Sequence, residues 1–305
     1  MNEPDLAPSG LHNVTSDNEV WAAKASFENL QAPMDELITR LRVPHPVRTV
    51  AVKVNLCDYR TAESGATSDP RVVEALIKSV KKTYGDPLIR IVETDASGTD
   101  CDSLFSFLGF RRLEKEYGVT LVNLRRSSWR EVPLNGRLFK RIQIPEILTE
   151  TDLFVNHPKL KTHGKTKITV GLKNIFGCLR QKYKARYHSA LDDAIVDVNC
   201  AMPSDLTVVD GIIALEGWGP TYGFPKRLNL LVAGRNVVSV DAFCADLMGF
   251  GAKSVSHIVL AERMGIGSTK YHLRSEMNMA ILKSSRFKFD PIRYRLKGLA
   301  ESQFS

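Results

Sequence analysis

Residues 49–93 read TVAVKVNLCDYRTAESGATSDPRVVEALIKSVKKTYGDPLIRIVE, and the fold class turns on this stretch. Thr49 to Val54 is β-branched and apolar around a single lysine, the composition of a buried strand. Asp69-Pro70 combines a capping side chain with proline at the first helical position, and Val72, Val73, Leu76, Ile77 and Val80 then recur at helical spacing up to Gly85. Leu88 to Glu93 returns to a strand pattern. Strand, helix, strand at this spacing predicts a right-handed parallel βαβ unit, and ligands of such sheets bind beyond the carboxyl ends of the strands. Lys53-Val54-Asn55 and Glu93-Thr94-Asp95-Ala96-Ser97-Gly98 occupy those ends. They are either site walls or ordinary turn residues, since Asp, Ser and Gly serve any such turn.

On the N-terminal side, Phe27, Leu30, Met34, Leu37, Ile38 and Leu41 predict a helix within Trp21 to Leu41, kinked or split at Pro33 and ended by Pro44 and Pro46. Towards the C-terminus come a helix near Asp102 to Tyr117, a strand at Val119 to Asn123 and a hairpin turn at Asn135-Gly136. Strands follow at Asp152 to Asn156, Leu206 to Asp210 and Leu228 to Ala233, then a helix from Val238 to Met248. The expected architecture is α/β, a mostly parallel sheet with flanking helices. The α/β domain spans 18–285, with lobes 18–148 and 149–285 around a cleft as one arrangement. A disordered tail is expected over 1–17 and a basic C-terminal tail over 286–305.

At 305 residues and 43% hydrophobic composition, the chain can bury a substantial core. No window approaches the roughly 18 uninterrupted apolar residues of a membrane span, and the N-terminus lacks the basic start and apolar core of a signal peptide. The cytoplasm and no membrane partner are therefore expected. Cys57, Cys101, Cys178, Cys200 and Cys244 are scattered singly, so there is no iron-sulfur or zinc-ribbon motif and five reduced thiols are expected.

The formal net charge is +8, and its placement matters more than its sum. Residues 157–188, HPKLKTHGKTKITVGLKNIFGCLRQKYKARYH, hold nine cations and no Asp or Glu, so the rest of the chain carries +8 minus +9, or −1. A field concentrated in one segment points to a local anion site. Within it, His163 and His188 can move a proton or bind a metal, and Lys173 among other cations can serve as base or nucleophile. Further along, Asp210-Gly211 is expected to end a strand at the same sheet edge, and Glu216 opens a constrained EGWGPTYG loop with Trp218 and Tyr222.

The run KLKTHGKTKITVGLKNIFG, the later His188, then LTVVDG, EGWGPTYG and the Val240-Asp241-Ala242 helix resemble the family called domain of unknown function 362, over about Lys53 to Gly267. Many members of that family carry a cysteine-rich ferredoxin-like segment, which this chain lacks. More distantly, His163, then Thr169-x-Gly171-x-Lys173, then His188 is similar to the nickel-pincer lactate racemase family. That resemblance implies a histidine for proton transfer at the substrate's α-carbon, a lysine holding the cofactor and a downstream histidine on nickel. Its early Asp-Asp-x-Thr-Arg segment is replaced here by Lys53-Val54-Asn55 and Thr67-Ser68-Asp69-Pro70.

The expectation is an enzyme acting by acid-base chemistry on a small anionic metabolite, carboxylate or phosphorylated. Lys53, Lys161 and Lys173 would hold the anion, Asn55 and Asn174 would orient it, and His163 would be general acid or base. Asp210 or Glu216 would oppose it, with His188 as a polar wall. The cofactor is open, a divalent metal on His163 and His188 being one candidate. Two other classes remain: a nucleic-acid binder stacking bases on Phe176, Tyr183 and Tyr187, and an accessory protein in which His163, His188 and Cys178 carry a metal without turnover. Confinement of the cations to one stretch weighs against nucleic acid.

Overall fold

The computed structural model describes residues 17–278 and 286–289. The βαβ unit forms as its pattern dictates: β2 (Thr49–Lys53), α2 (Pro70–Tyr84) and β3 (Leu88–Glu93), with β2 and β3 parallel. Asp69 caps α2 by accepting from the Arg71 N–H, and Gly85 closes it in the left-handed conformation. Around this unit the strands are β1 (Glu19–Lys24), β4 (Thr120–Asn123), β7 (Leu153–Asn156), β10 (Leu206–Glu216), β11 (Phe224–Gly234) and β12 (His272–Arg274). They run in the order β12-β1-β11-β10-β7-β2-β3-β4, with β8 (Lys159–His163) and β9 (Lys167–Thr169) attached through β10. β11 is antiparallel to both neighbours, β9 is antiparallel to β8, and the remaining pairings are parallel. The fold is thus α/β with a mostly parallel sheet, continuous from β4 through β2 and β7 to β10.

Alternation along the strands divides the core between the two faces. On β2, Val50 and Val52 pack with α1 (Gln31–Arg40), α2, α3 (Cys101–Phe107) and α4 (Arg111–Tyr117), whereas Ala51 faces the opposite layer. That layer holds α6 (Gly171–Ile175), α7 (Leu191–Ala201), α8 (Val237–Leu247) and α9 (Ser256–Arg263). The ends of β2, β3 and β7 are in register, Lys53 opposite Val92 and Asn156, so their final residues form one polar edge.

Four local expectations are corrected. Trp21 to Leu41 is not one helix: β1 takes its first part because Val20 and Ala22 alternate into the core while β11 pairs with the backbone, and the helix begins at Gln31 with Pro33 harmlessly in its first turn. Asp102 to Tyr117 breaks into α3 and α4 at Gly109, which has φ 81°. The hairpin of β5 (Trp129–Pro133) with β6 (Arg141–Pro145) exists, but its loop is longer than an Asn-Gly turn because the Asp197 carboxylate accepts from the N–H groups of Arg137, Leu138 and Phe139. The strand expected to end at Asp210 continues to Glu216, held by β11 with a bulge between Gly211 and Ile213.

The expected tails lie outside the described residues except at their inner edges. Arg286 to Phe289 belong to the fold, since Phe287 N–H donates to Met248 and the Lys288 carbonyl accepts from Gly217 N–H. Among the described residues, no helix is long and apolar enough to cross a membrane.

Candidate functional site

A cavity of about 290 Å³ opens at the carboxyl ends of β2 and β3, roofed by β8, α6 and the chain from Lys182 to His188. Lys53, Asn55, Lys161, His163, Lys173, Asn174 and His188, separated by up to 135 positions in sequence (188 minus 53), all line it. Lys182 and Lys184 join them, and Glu93 is the carboxylate among the lining residues.

The lysines differ in what holds their charge. Lys53, 1% exposed, pairs with Glu93 at 2.7 Å and donates to the Val54 carbonyl. Lys161, equally buried, donates to the Ala66 carbonyl at 2.6 Å and to Cys57 Sγ at 3.3 Å. Lys184 donates to Thr94 Oγ1 and the Asp95 carbonyl, and burial draws its pKa down to about 8. Lys173 has no hydrogen-bond acceptor among the described residues. Its ammonium lies 4.2 Å from the centroid of the Phe176 ring, and burial, reinforced by Lys161 and Lys184, pulls its pKa from 10.5 to about 7. Burial thus favours the uncharged amine far more than in an exposed lysine.

Lys173 is carried by a helix of one turn, too short to stand alone. Asp241 of α8 secures it, its fully buried carboxylate accepting from the N–H groups of Gly171 and Leu172 at 2.7 and 3.0 Å. Burial raises the Asp241 pKa to about 7. Gly171 is required by this approach: a Cβ there would stand 2.6 Å from Val237 Cγ2 and 2.9 Å from Asp241 Oδ1.

A chain of amides fixes the opposite wall. Asn156 Nδ2 donates to the Gly171 carbonyl, Asn174 Nδ2 to Asn156 Oδ1, and Asn55 Nδ2 to Asn174 Oδ1. Among the described residues, the series leaves Asn55 Oδ1 without a donor, as Thr169 Oγ1 on the same lining is without a hydrogen-bond partner. Buried polar atoms of this kind are costly unless something meets them.

His163 is held in one tautomer. Its Nδ1 accepts from the backbone N–H groups of Lys165 and Thr166 at 3.2 and 3.3 Å. Burial and then Lys173 hold its pKa well below the ordinary 6.5. The neutral ring therefore carries its proton on Nε2, as a hydrogen-bond donor. His188 stands at the exposed rim, its pKa lowered by partial desolvation and by Lys165 and Lys173.

Asp210 and Glu216 are elsewhere. Asp210 lies inside β10, beyond which the strand continues, and pairs with Lys159 at 2.7 Å with both side chains sealed from solvent. Glu216 accepts from Lys226 and from Lys288 N–H on the far side of the strand end. Neither lines the cavity. Among the lining residues that sequence reasoning did not propose for the site are Cys57, Lys182, Lys184 and Thr221. His257 of α9 was also missed; it is fully buried with neither ring nitrogen hydrogen-bonded among the described residues, Nδ1 standing 3.7 Å from Asp192 Oδ1, and burial followed by Lys173 lowers its pKa to about 3. A lone histidine on a short helix gave no signal.

Of the nine cations in 157–188, only Lys161, Lys173, Lys182 and Lys184 reach the cavity. Lys159 is spent on Asp210, Lys167 on the Ser254 carbonyl and Arg180 on Gln143. Five lysines against one carboxylate oppose a bare divalent cation, and no three His, Cys, Asp or Glu side chains gather to hold one among the described residues. The donor set fits an anion and does not fit a metal ion alone. The five cysteines are free thiols.

Three comparisons accompany this geometry. A family model described as a domain of unknown function (DUF362) matches residues 50–246. The thylakoid-associated protein sll1697 of Synechocystis is 26% identical over 262 residues, covering 84% of this chain and 79% of that protein. The lactate racemase apoprotein of Thermoanaerobacterium thermosaccharolyticum aligns in structure with a TM-score of 0.49 and 12% identity over 82% of this chain, which spans 60% of that protein's length.

Proposed function

The chain belongs to the family described as domain of unknown function DUF362, and on that premise we propose that it is an enzyme binding a small anionic metabolite in the cavity at the ends of β2 and β3 and moving a proton there with Lys173. One observation carries the reading: five lysines line one cavity whose single carboxylate, Glu93, is already paired with Lys53. The cluster's self-repulsion is relieved by a bound carboxylate or phosphate. Lys161 and Lys184, immobilised by their acceptors, would hold the anion. Lys173, which meets no acceptor among the described residues, would take a proton near neutrality, and His163, donating through Nε2–H, would polarise an oxygen of the substrate without itself accepting a proton there. Asn55 would orient the ligand by accepting, through its unmet Oδ1, from a hydroxyl or other N–H or O–H group on it. We place this activity in the cytoplasm.

The nucleic-acid alternative loses support because Lys161 is buried, Phe176 is part of the core, and Lys173, Lys182 and Lys184 face into a concave site. The metal-carrying alternative is opposed by the same field.

Calorimetry with inorganic phosphate and malonate tests the proposal. At pH 8 Lys173 is mainly neutral in the free protein, and a neighbouring anion raises its pKa, so binding takes up protons; Lys173→Met should bind with reduced uptake. Absence of binding by either anion would sink the reading.

A further inference from the structure

We propose that Lys173 is a nucleophile that forms an imine with its substrate, and that the substrate is therefore a small carboxylate bearing a ketone or aldehyde carbonyl. This deepens the anion-binding reading and rests on it. Of the five lysines of the cavity, Lys53, Lys161 and Lys184 each donate to fixed oxygens, whereas Lys173 and Lys182 have no acceptor among the described residues. Of these two, Lys173 has its nitrogen over the face of Phe176 inside the cavity. An ammonium kept for anion binding gains from anchoring acceptors, whereas a nucleophile needs a free lone pair. Burial beside other cations supplies that lone pair at neutral pH.

The surroundings suit the reaction at each stage. The nitrogen lone pair forms the C–N bond as the carbonyl π pair moves to oxygen. Nε2–H of His163 meets that oxygen as negative charge develops. The oxygen then leaves as water with the two protons that nitrogen gives up, and the imine takes one proton from solvent to become an iminium. No oxidant or reductant is consumed. The iminium would lie over the Phe176 ring, where a cation is favoured, and Lys161 and Lys184 would hold the carboxylate. An iminium withdraws electrons from the adjacent carbon and acidifies its C–H; Lys173 thus takes part in that proton transfer through the C–N bond and not as the base, and the proton leaves to water in the open cavity.

The test is reductive trapping. The full chain is incubated at pH 7 with pyruvate and cyanoborohydride, and modified peptides are mapped by mass spectrometry, with malonate as a competitor that has the charge but no reactive ketone. The expected result is one reduced adduct on Lys173, formed on the order of 100-fold faster than on exposed lysines, and suppressed by malonate. Lys173→Met should lose the adduct while retaining its circular dichroism and malonate binding. Malonate binding in wild type without an adduct at Lys173, or adducts spread over surface lysines and indifferent to malonate, would overturn the imine and leave anion binding standing. Failure of malonate to bind at all would remove both.

Discussion

Three of the five cavity lysines donate to oxygens, whereas Lys173 lies over an aromatic ring, and that difference is visible only atom by atom. Its consequence for stability can be signed. The folded pKa of Lys173 is about 7 against an ordinary 10.5, so the unfolded chain binds the extra proton between those values. The charged amine destabilises the folded chain fully below about pH 7, and the penalty fades as pH rises towards 10.5. Lys173→Met should therefore melt above wild type at pH 6, with the gap closing by pH 10; thermal melts across this range check it, and a constant gap would mean that the amine is not depressed. Sequence reasoning reached Lys173 and His163 from charge density and glycine spacing. It could not reach the role of His163 as a fixed donor, because that depends on two backbone N–H groups turning back to Nδ1.

At the scale of elements, the site depends on a one-turn helix that has little stability of its own. α6 is fastened through Asp241, and the substitutions that report this are Asp241→Ala and Asp241→Asn. The first leaves two buried N–H groups without an acceptor and should cost about 1–3 kcal/mol or more; the second keeps one acceptor oxygen and should cost less. Urea unfolding measures both, and equal losses would argue against capping as the cause. The elements legible in sequence were those with complete local signals: α2 with its cap, stripe and terminal glycine, and β2 and β3 with their apolar runs. β1 and the second half of β10 were not. β1 exists because β11 offers it a partner more than two hundred residues away (Val20 opposite Gly234), and the far half of β10 exists because β11 pairs beyond the bulge.

For the whole molecule, folding divides the nine cations of one segment, and four of them join Lys53 in lining a cavity. Phosphate affinity should then fall gently with salt, as for one or two contacts, and not with the slope near 0.9 per phosphate summed over many contacts that duplex DNA gives; titrations at several salt concentrations distinguish them. What the sequence by itself determined was the α/β class, the βαβ unit, the polar strand ends and the segment that supplies the lysines, because each follows from local periodicity, capping or composition. Only the tertiary structure decided which cations face the cavity and which are consumed: Lys159 and Asp210 neutralise each other inside the sheet, Glu216 is drawn to Lys226 and the returning chain, and Lys53 crosses from a distant strand to join Lys173. Charge pairing depends on distance in space, and strand register sets that distance between residues too far apart in sequence for any local pattern to relate them.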